Sequence, residues 1–122
     1  MKRELFKCLY NIEGNTKVVT KSGIVVEILV DCKPVKIGFY CDFRKKKICY
    51  VSVDIQTGLA IVNGSNDADQ CLAETEAILM KKGYKHYKAC RKKAKQVYQK
   101  IYESEEWLNG KGNSKDSKSV NG

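Results

Sequence analysis

The nine residues Val35 to Phe43 (VKIGFYCDF) alternate: Val35, Ile37, Phe39, Cys41 and Phe43 fall on one side, and Lys36, Gly38, Tyr40 and Asp42 on the other. Successive side chains of an extended backbone point to opposite faces, so a period of two reads as a strand with one face buried and one face wet. Outward from it, Thr16–Thr20, Ile24–Asp31, Ile48–Asp54 and Leu59–Val62 are also rich in β-branched and aromatic residues. Between these runs lie Lys21-Ser22-Gly23, Asp31-Cys32-Lys33-Pro34, Arg44-Lys45-Lys46-Lys47 and Gln56-Thr57-Gly58. Each connection is short enough to join neighbouring antiparallel strands, which predicts an antiparallel β-meander of four to five strands. Ile24–Asp31 is apolar on both faces except for Glu27 and Asp31, as a central, covered strand would be. The sole proline, Pro34, stands at a strand start, where its missing N–H costs little.

After Val62 the period changes to three or four. Asp67 with Gln70 is a variant of the capping box, and Ala68, Cys71, Leu72, Thr75, Ile78 and Leu79 share one helical face. Gly83 is expected to close this helix as a left-handed cap. A second helix is expected from Tyr84 to Leu108 with Tyr87, Cys90, Ala94, Val97, Tyr98 and Ile101 as its apolar stripe. Such a helix would be about 37 Å long and would project in part beyond a domain of this size. Lys2–Ile12 is read as a short N-terminal helix with Leu5, Phe6, Cys8 and Leu9 inward, an edge strand being the alternative. The expected whole is α+β: a single domain over residues 1–108, then a disordered polar tail over 109–122 (NGKGNSKDSKSVNG).

Charge separates the helical part from the rest. The 122 residues carry 23 Lys and Arg against 14 Asp and Glu, a net charge of +9. Nine of the cations, Lys81, Lys82, Lys85, Lys88, Arg91, Lys92, Lys93, Lys95 and Lys100, stand between positions 81 and 100 with no acidic residue among them. Outside that window fourteen cations face all fourteen acids, so the whole surplus is local. Lys85, Lys88, Lys92 and Lys95 recur at three and four residues and therefore line one side of a helix, next to Arg91. Like charges so spaced repel, and a polyanionic backbone would neutralise the row. Tyr84, in the same stretch, offers a ring on which an unpaired base could stack. Arg44, Lys45, Lys46 and Lys47 form a second basic turn, which the acidic Glu103, Glu105 and Glu106 are placed to pair with. Arg91-Lys92-Lys93-Ala94-Lys95 locally resembles the phosphate-gripping signature opening the last helix of double-stranded-RNA-binding domains. The resemblance stops at these five residues and a coarse order of elements, and no family follows from it.

Other chemistries find little support. The start, MKRELFKCLY, lacks the continuous apolar stretch of an export signal, and no window reaches the roughly 20 apolar residues of a membrane span. A cytoplasmic protein that does not enter membranes is the expectation, with the six cysteines reduced and mostly buried as small apolar residues. Cys41 and Cys49 flank the basic turn and are expected to face each other across a hairpin. There is no CxxC pair and one histidine, so no zinc template is present, and neither phosphate-binding glycine motif occurs; no metal or cofactor is expected. His86 has no evident catalytic partner in sequence, and Glu27, Asp31, Asp42 and Asp54 lie near strands with nothing to fix a common geometry.

The sequence thus points to a small non-enzymatic protein that grips DNA or RNA phosphates through Lys81, Lys82, Lys85, Lys88, Arg91, Lys92 and Lys95, with weak sequence specificity. The other reading is a phage- or mobile-element-type accessory or inhibitor protein that docks on an acidic protein surface.

Overall fold

The structure, a computed structural model describing residues 2–108, runs β1 (Glu4–Ile12), β2 (Asn15–Val30), β3 (Lys33–Arg44), β4 (Lys47–Asp54), β5 (Ala60–Ser65), α1 (Ala68–Val97), α2 (Gln99–Tyr102) and α3 (Glu105–Leu108). Each strand pairs antiparallel with its neighbour in sequence, giving a five-stranded sheet in the order β1-β2-β3-β4-β5. The class is α+β and the sheet is the expected meander. The polar tail expected over 109–122 lies outside the described residues.

Three hairpins turn through two residues of positive φ: Glu13-Gly14 (50° and 83°), Asp31-Cys32 (52° and 64°) and Lys45-Lys46 (49° and 62°). Two consecutive positive φ values define a type I′ turn, whose twist matches that of paired strands and which favours Asn-Gly. A residue with a Cβ there costs roughly 1–2 kcal/mol. Only the first of these hairpins places a glycine at one of its two positions.

Two expectations are corrected at the N-terminal end. Lys2–Ile12 is not a helix, because Glu4–Ile12 is a strand paired with Asn15–Gly23. Leu5, Phe6, Cys8 and Leu9 fit either period; pairing decides, with Phe6 and Cys8 buried on one face and Leu5 exposed on the other. Nor is Lys21-Ser22-Gly23 a turn: it lies inside the sixteen-residue β2, which merges two expected strands. Residues up to Gly23 pair with β1 and those from Ile24 with β3, so β2 changes partner there. A Cβ on Gly23 would stand 2.0 Å from the Phe39 carbonyl oxygen, so the glycine serves a close crossing of backbones rather than a bend.

That change of partner lets both faces of the sheet be covered. On one face Ile28, Val30, Val35 and Ile37 pack against Leu79 and Tyr87 of α1. On the other, Phe6 and Cys8 of β1 pack on Tyr40, Val51 and Val53. The sheet curls until Leu9 N–H donates to the Gly58 carbonyl, 2.9 Å, beyond the end of β4. β3 is therefore not a strand with one wet face: Val35 and Ile37 are buried on one side and Tyr40 on the other, while Cys41 and Phe43 are exposed. A small polar chain pins α1 to β4. Thr75 Oγ1 donates to the Cys71 carbonyl and lies 2.7 Å from Ser52 Oγ. With its one proton committed, it accepts from Ser52, which in turn accepts from Val62 N–H.

All six cysteines are free thiols; Cys8 and Cys71 are buried, Cys32, Cys41 and Cys90 exposed. The register places Cys41 opposite Tyr50 and Cys49 opposite Asp42, so the two cysteines lie on opposite faces and do not meet across the hairpin. Burial pushes the Cys8 thiol up to about 12.

Titration of the native protein with a thiol reagent at pH 8 should modify Cys32, Cys41 and Cys90 rapidly, and Cys8 and Cys71 only after denaturation; peptide mapping reads the order. Gly23→Ala should destabilise the fold by about 2 kcal/mol or more in chemical denaturation, because carbonyl and methyl cannot share the crossing.

Candidate nucleic-acid interface

The basic segment begins at a break in α1. Gly83 has φ 83° and ψ 166°, a combination essentially closed to residues with a Cβ. The expected positive φ is present, but the extended ψ takes the residue out of the left-handed helical well, and the chain turns sharply. The helix restarts at once because Asp31 Oδ2, from the β2–β3 turn, accepts the Tyr84 N–H at 2.9 Å, as an N-cap side chain would. One turn later Tyr87 Oη donates to Asp54 Oδ1 at 2.7 Å, and Thr57 Oγ1 donates to Asp54 Oδ2 at 2.9 Å. Burial, then the Asp54 hydrogen bond and charge, hold the Tyr87 phenol well above its ordinary range.

These anchors set the helical phase. Tyr84, Tyr87, Arg91, Ala94 and Tyr98 face inward, wholly or in part, whereas Cys90 and Val97 of the expected stripe are exposed. The expected helix to Leu108 ends at Val97. Beyond it α2 and α3 fold back: Tyr102 Oη donates to the Thr57 carbonyl at 2.7 Å and packs edge-on to Trp107, centroids 4.7 Å apart. Lys7 of β1 donates its ammonium to the Trp107 carbonyl. The helix therefore does not project; its end is clamped to the sheet.

The basic residues fall out as follows. Lys81, Lys82, Lys85, Lys88, Lys92, Lys93, Lys95 and Lys100 are exposed. Among the described residues the ion pairs are Lys21–Asp42 and Arg44–Asp42, so no carboxylate pairs with these lysines. Lys85, Lys88, Lys92 and Lys95, with Arg91, line one open groove of about 410 Å³ along the side of the helix. Arg91 is half-buried and also borders this groove, its guanidinium 5.5 Å from the Tyr87 ring centroid, so the head rests beside that ring. Tyr84 is half-buried as well, tilted on Tyr87 and lying under the Lys33 ammonium at 5.7 Å. Lys33 thus adds a sheet cation beside the helix start, which no local pattern in sequence announces.

The second basic turn divides. Arg44 donates to Asp42 Oδ2 at 2.9 Å and to the carbonyl and side-chain oxygens of Asn63, tying the β3–β4 hairpin to β5. Burial alone would raise Asp42; the Arg44 hydrogen bond, with the Lys21 and Arg44 charges, brings its carboxyl below the usual range. Lys45, Lys46 and Lys47 stay exposed. Glu103, Glu105 and Glu106 do not meet this turn: Glu103 accepts from Gln99, and α3 lies by β1. The turn and the groove are not brought together either. Tyr84 sits by Lys33 at the start of β3 and the turn follows Arg44 at its end, about 35 Å along the strand.

Other candidate chemistry is dispersed. Asp31, Asp42 and Asp54 are each engaged separately, Glu27 is exposed, and no three His, Cys, Asp or Glu side chains among the described residues group as metal ligands would. His86 Nε2 does have a partner, Cys90 Sγ at 3.2 Å, which the i, i+4 spacing could have signalled. The pair borders an apolar pocket of about 290 Å³ under the Gly83 break, lined by Leu59, Ile61, Ile78 and Leu79. Cys90 Sγ is the one partner of the His86 ring among the described hydrogen bonds, and no third group is seen to orient the imidazole. No helix among the described residues is long and apolar enough to cross a membrane. No protein-family model, curated protein or solved structure matches the chain.

Removing the cap tests how the basic helix is held. Asp31→Ala should cost about 1 kcal/mol of global stability and speed amide exchange selectively at Tyr84–Tyr87. Equal loss of protection throughout α1 would contradict the restart at Gly83.

Proposed function

We propose that this protein binds nucleic acid by laying the 84–97 segment of α1 along a phosphate backbone, with Lys85, Lys88, Lys92, Lys95 and Arg91 as the contacting cations. The observation carrying the proposal is that these five line one groove and, among the described residues, have no carboxylate partners. Eight exposed lysines in one window without acidic neighbours keep a local potential that a mixed-sign helix would cancel. Lys81, Lys82 and Lys100 extend the charge beyond the groove, and Lys33 adds to it from the sheet.

The chemistry of the groove sets the mode. Lysine ammonium groups are compact, flexible donors suited to phosphate oxygens, and among the groove residues only Arg91 presents the rigid planar fork that best fixes a base edge. Binding is therefore governed by charge and shape with weak sequence preference, in the cytoplasm, and the role is that of a binding protein rather than an enzyme. An amphipathic membrane-surface helix fits less well, since Tyr87 and Ala94 of the inward stripe are already buried, Tyr87 against the sheet.

Five neutralised phosphates on duplex DNA imply a slope near −4.5 in log affinity against log salt. Exchanging Lys85, Lys88, Lys92 and Lys95 for Glu should abolish binding while leaving the far-ultraviolet circular dichroism of the fold intact, since all four are exposed. A salt-independent affinity, or undiminished binding by the fourfold variant, would overturn the proposal.

A further inference from the structure

The β3–β4 hairpin carries features that its fold does not need. Its turn places Lys45 and Lys46 at φ 49° and 62°, the backbone region that favours Asn and Gly. The Asp31-Cys32 turn is also free of glycine, but there one of the two residues, Asp31, is recompensed by capping the basic helix. Nothing within the fold recompenses Lys45 and Lys46, whose side chains are exposed and, among the described residues, make no ion pair. Backbone strain kept without structural return is concentrated at functional sites. Beside the turn, Phe43 and Ile48 face each other across the strands, 69% and 54% exposed. They lie on the face that α1 covers farther along the sheet, where the hairpin outruns the helix. Arg44, tied to Asp42 and Asn63, fastens the hairpin to β5 behind them.

We infer that this hairpin tip is a second nucleic-acid site, specific for unpaired strands, in which Lys45, Lys46 and Lys47 hold phosphates and a base stacks on Phe43. The class of ligand rests on the nucleic-acid reading of the helix groove. The preference for unpaired bases is independent of it, because a phenylalanine ring has no donor for a base edge and a base inside a duplex has no free face to offer. A protein partner fits less well, since the apolar side chains exposed at the tip, Phe43 and Ile48 with Cys41 beside them, make a small patch set among cations, and interface cores are depleted in charged residues. With the groove about 35 Å away along β3, the two sites can engage different segments at once. A junction between duplex and single strand would then be held more tightly than either part.

The test compares binding to a twenty-nucleotide thymidine strand, a twenty-base-pair duplex and a junction joining them. Three variants of the full chain are used: Phe43→Ala, the double variant Lys45→Asn with Lys46→Gly, and the fourfold groove variant. Phe43→Ala should weaken single-strand binding about tenfold and leave duplex binding within about twofold. The double variant should do the same while raising Tm by about 4 °C or more, because Asn-Gly is the pair the turn favours. Higher stability with unchanged single-strand affinity in both tip variants would overturn the inference, as would an equal loss on duplex and single strand. Capture of a protein through the tip with thymidine-strand binding unaffected would overturn it too. Undiminished duplex binding by the groove variant would instead remove the reading of the groove, with the tip still judged by the single strand.

Discussion

Two aspartates of the sheet hold a helix that its own charges oppose. Cations at three- and four-residue spacing weaken an isolated helix by some tenths of a kcal/mol per pair, and the 84–97 segment carries several such pairs with no acid interspersed. Asp31 supplies the missing acceptor at its first turn, and Asp54 takes the Tyr87 hydroxyl at its second. Both act from the inward side, so the opposing charge that steadies the helix leaves the lysines on its outer side unpaired. Stability and exposed potential are thereby separated in space on a single element.

The sheet can supply both aspartates because of how it closes. Asp31 stands in the β2–β3 turn and Asp54 at the end of β4, opposite Ile37. They reach the helix from one end of the sheet because β2 changes partner at Gly23 and carries the β1 hairpin round to the reverse face. The helical face is then free for α1, and the folded-back α2 and α3 reach β1 and the 57–58 turn to fasten the end. Curling has a second effect. The β3–β4 hairpin is left longer than the cover available to it, so Phe43 and Ile48 emerge at the opposite end from the basic groove.

The molecule therefore presents two clusters of cations of different character. Along the helix they are many, lysine-rich and flanked by half-buried rings, an arrangement that on the proposed reading would suit phosphates rather than base edges. At the hairpin they are few, held on a strained turn and joined to an exposed aromatic ring. The residues between them, Asp42, Arg44, Lys21 and Asn63, are bound to one another, with the one carboxylate of Asp42 shared by two cations.

What was legible in the residues themselves was whatever depends on local period and composition. The alternation in Val35–Phe43, the meander implied by short connections, the change to helical spacing after Val62, the break at Gly83 and the concentration of charge after Lys81 each follow from neighbours along the chain. The identity of β1 was not legible, since Leu5, Phe6, Cys8 and Leu9 satisfy either period until a partner strand chooses. Nor was the role of Gly23, because a glycine that admits a crossing carbonyl looks the same in sequence as one that makes a turn. The inward phase of the basic helix, the return of Tyr102 and Trp107, the division of Arg44 from Lys45–Lys47 and the meeting of His86 with Cys90 depended on which groups the sheet brings within hydrogen-bonding reach. Local pattern decides which elements form, because it acts through covalent neighbours; only the closed sheet decides which faces they turn outward, because burial and hydrogen bonding act between residues far apart in the chain.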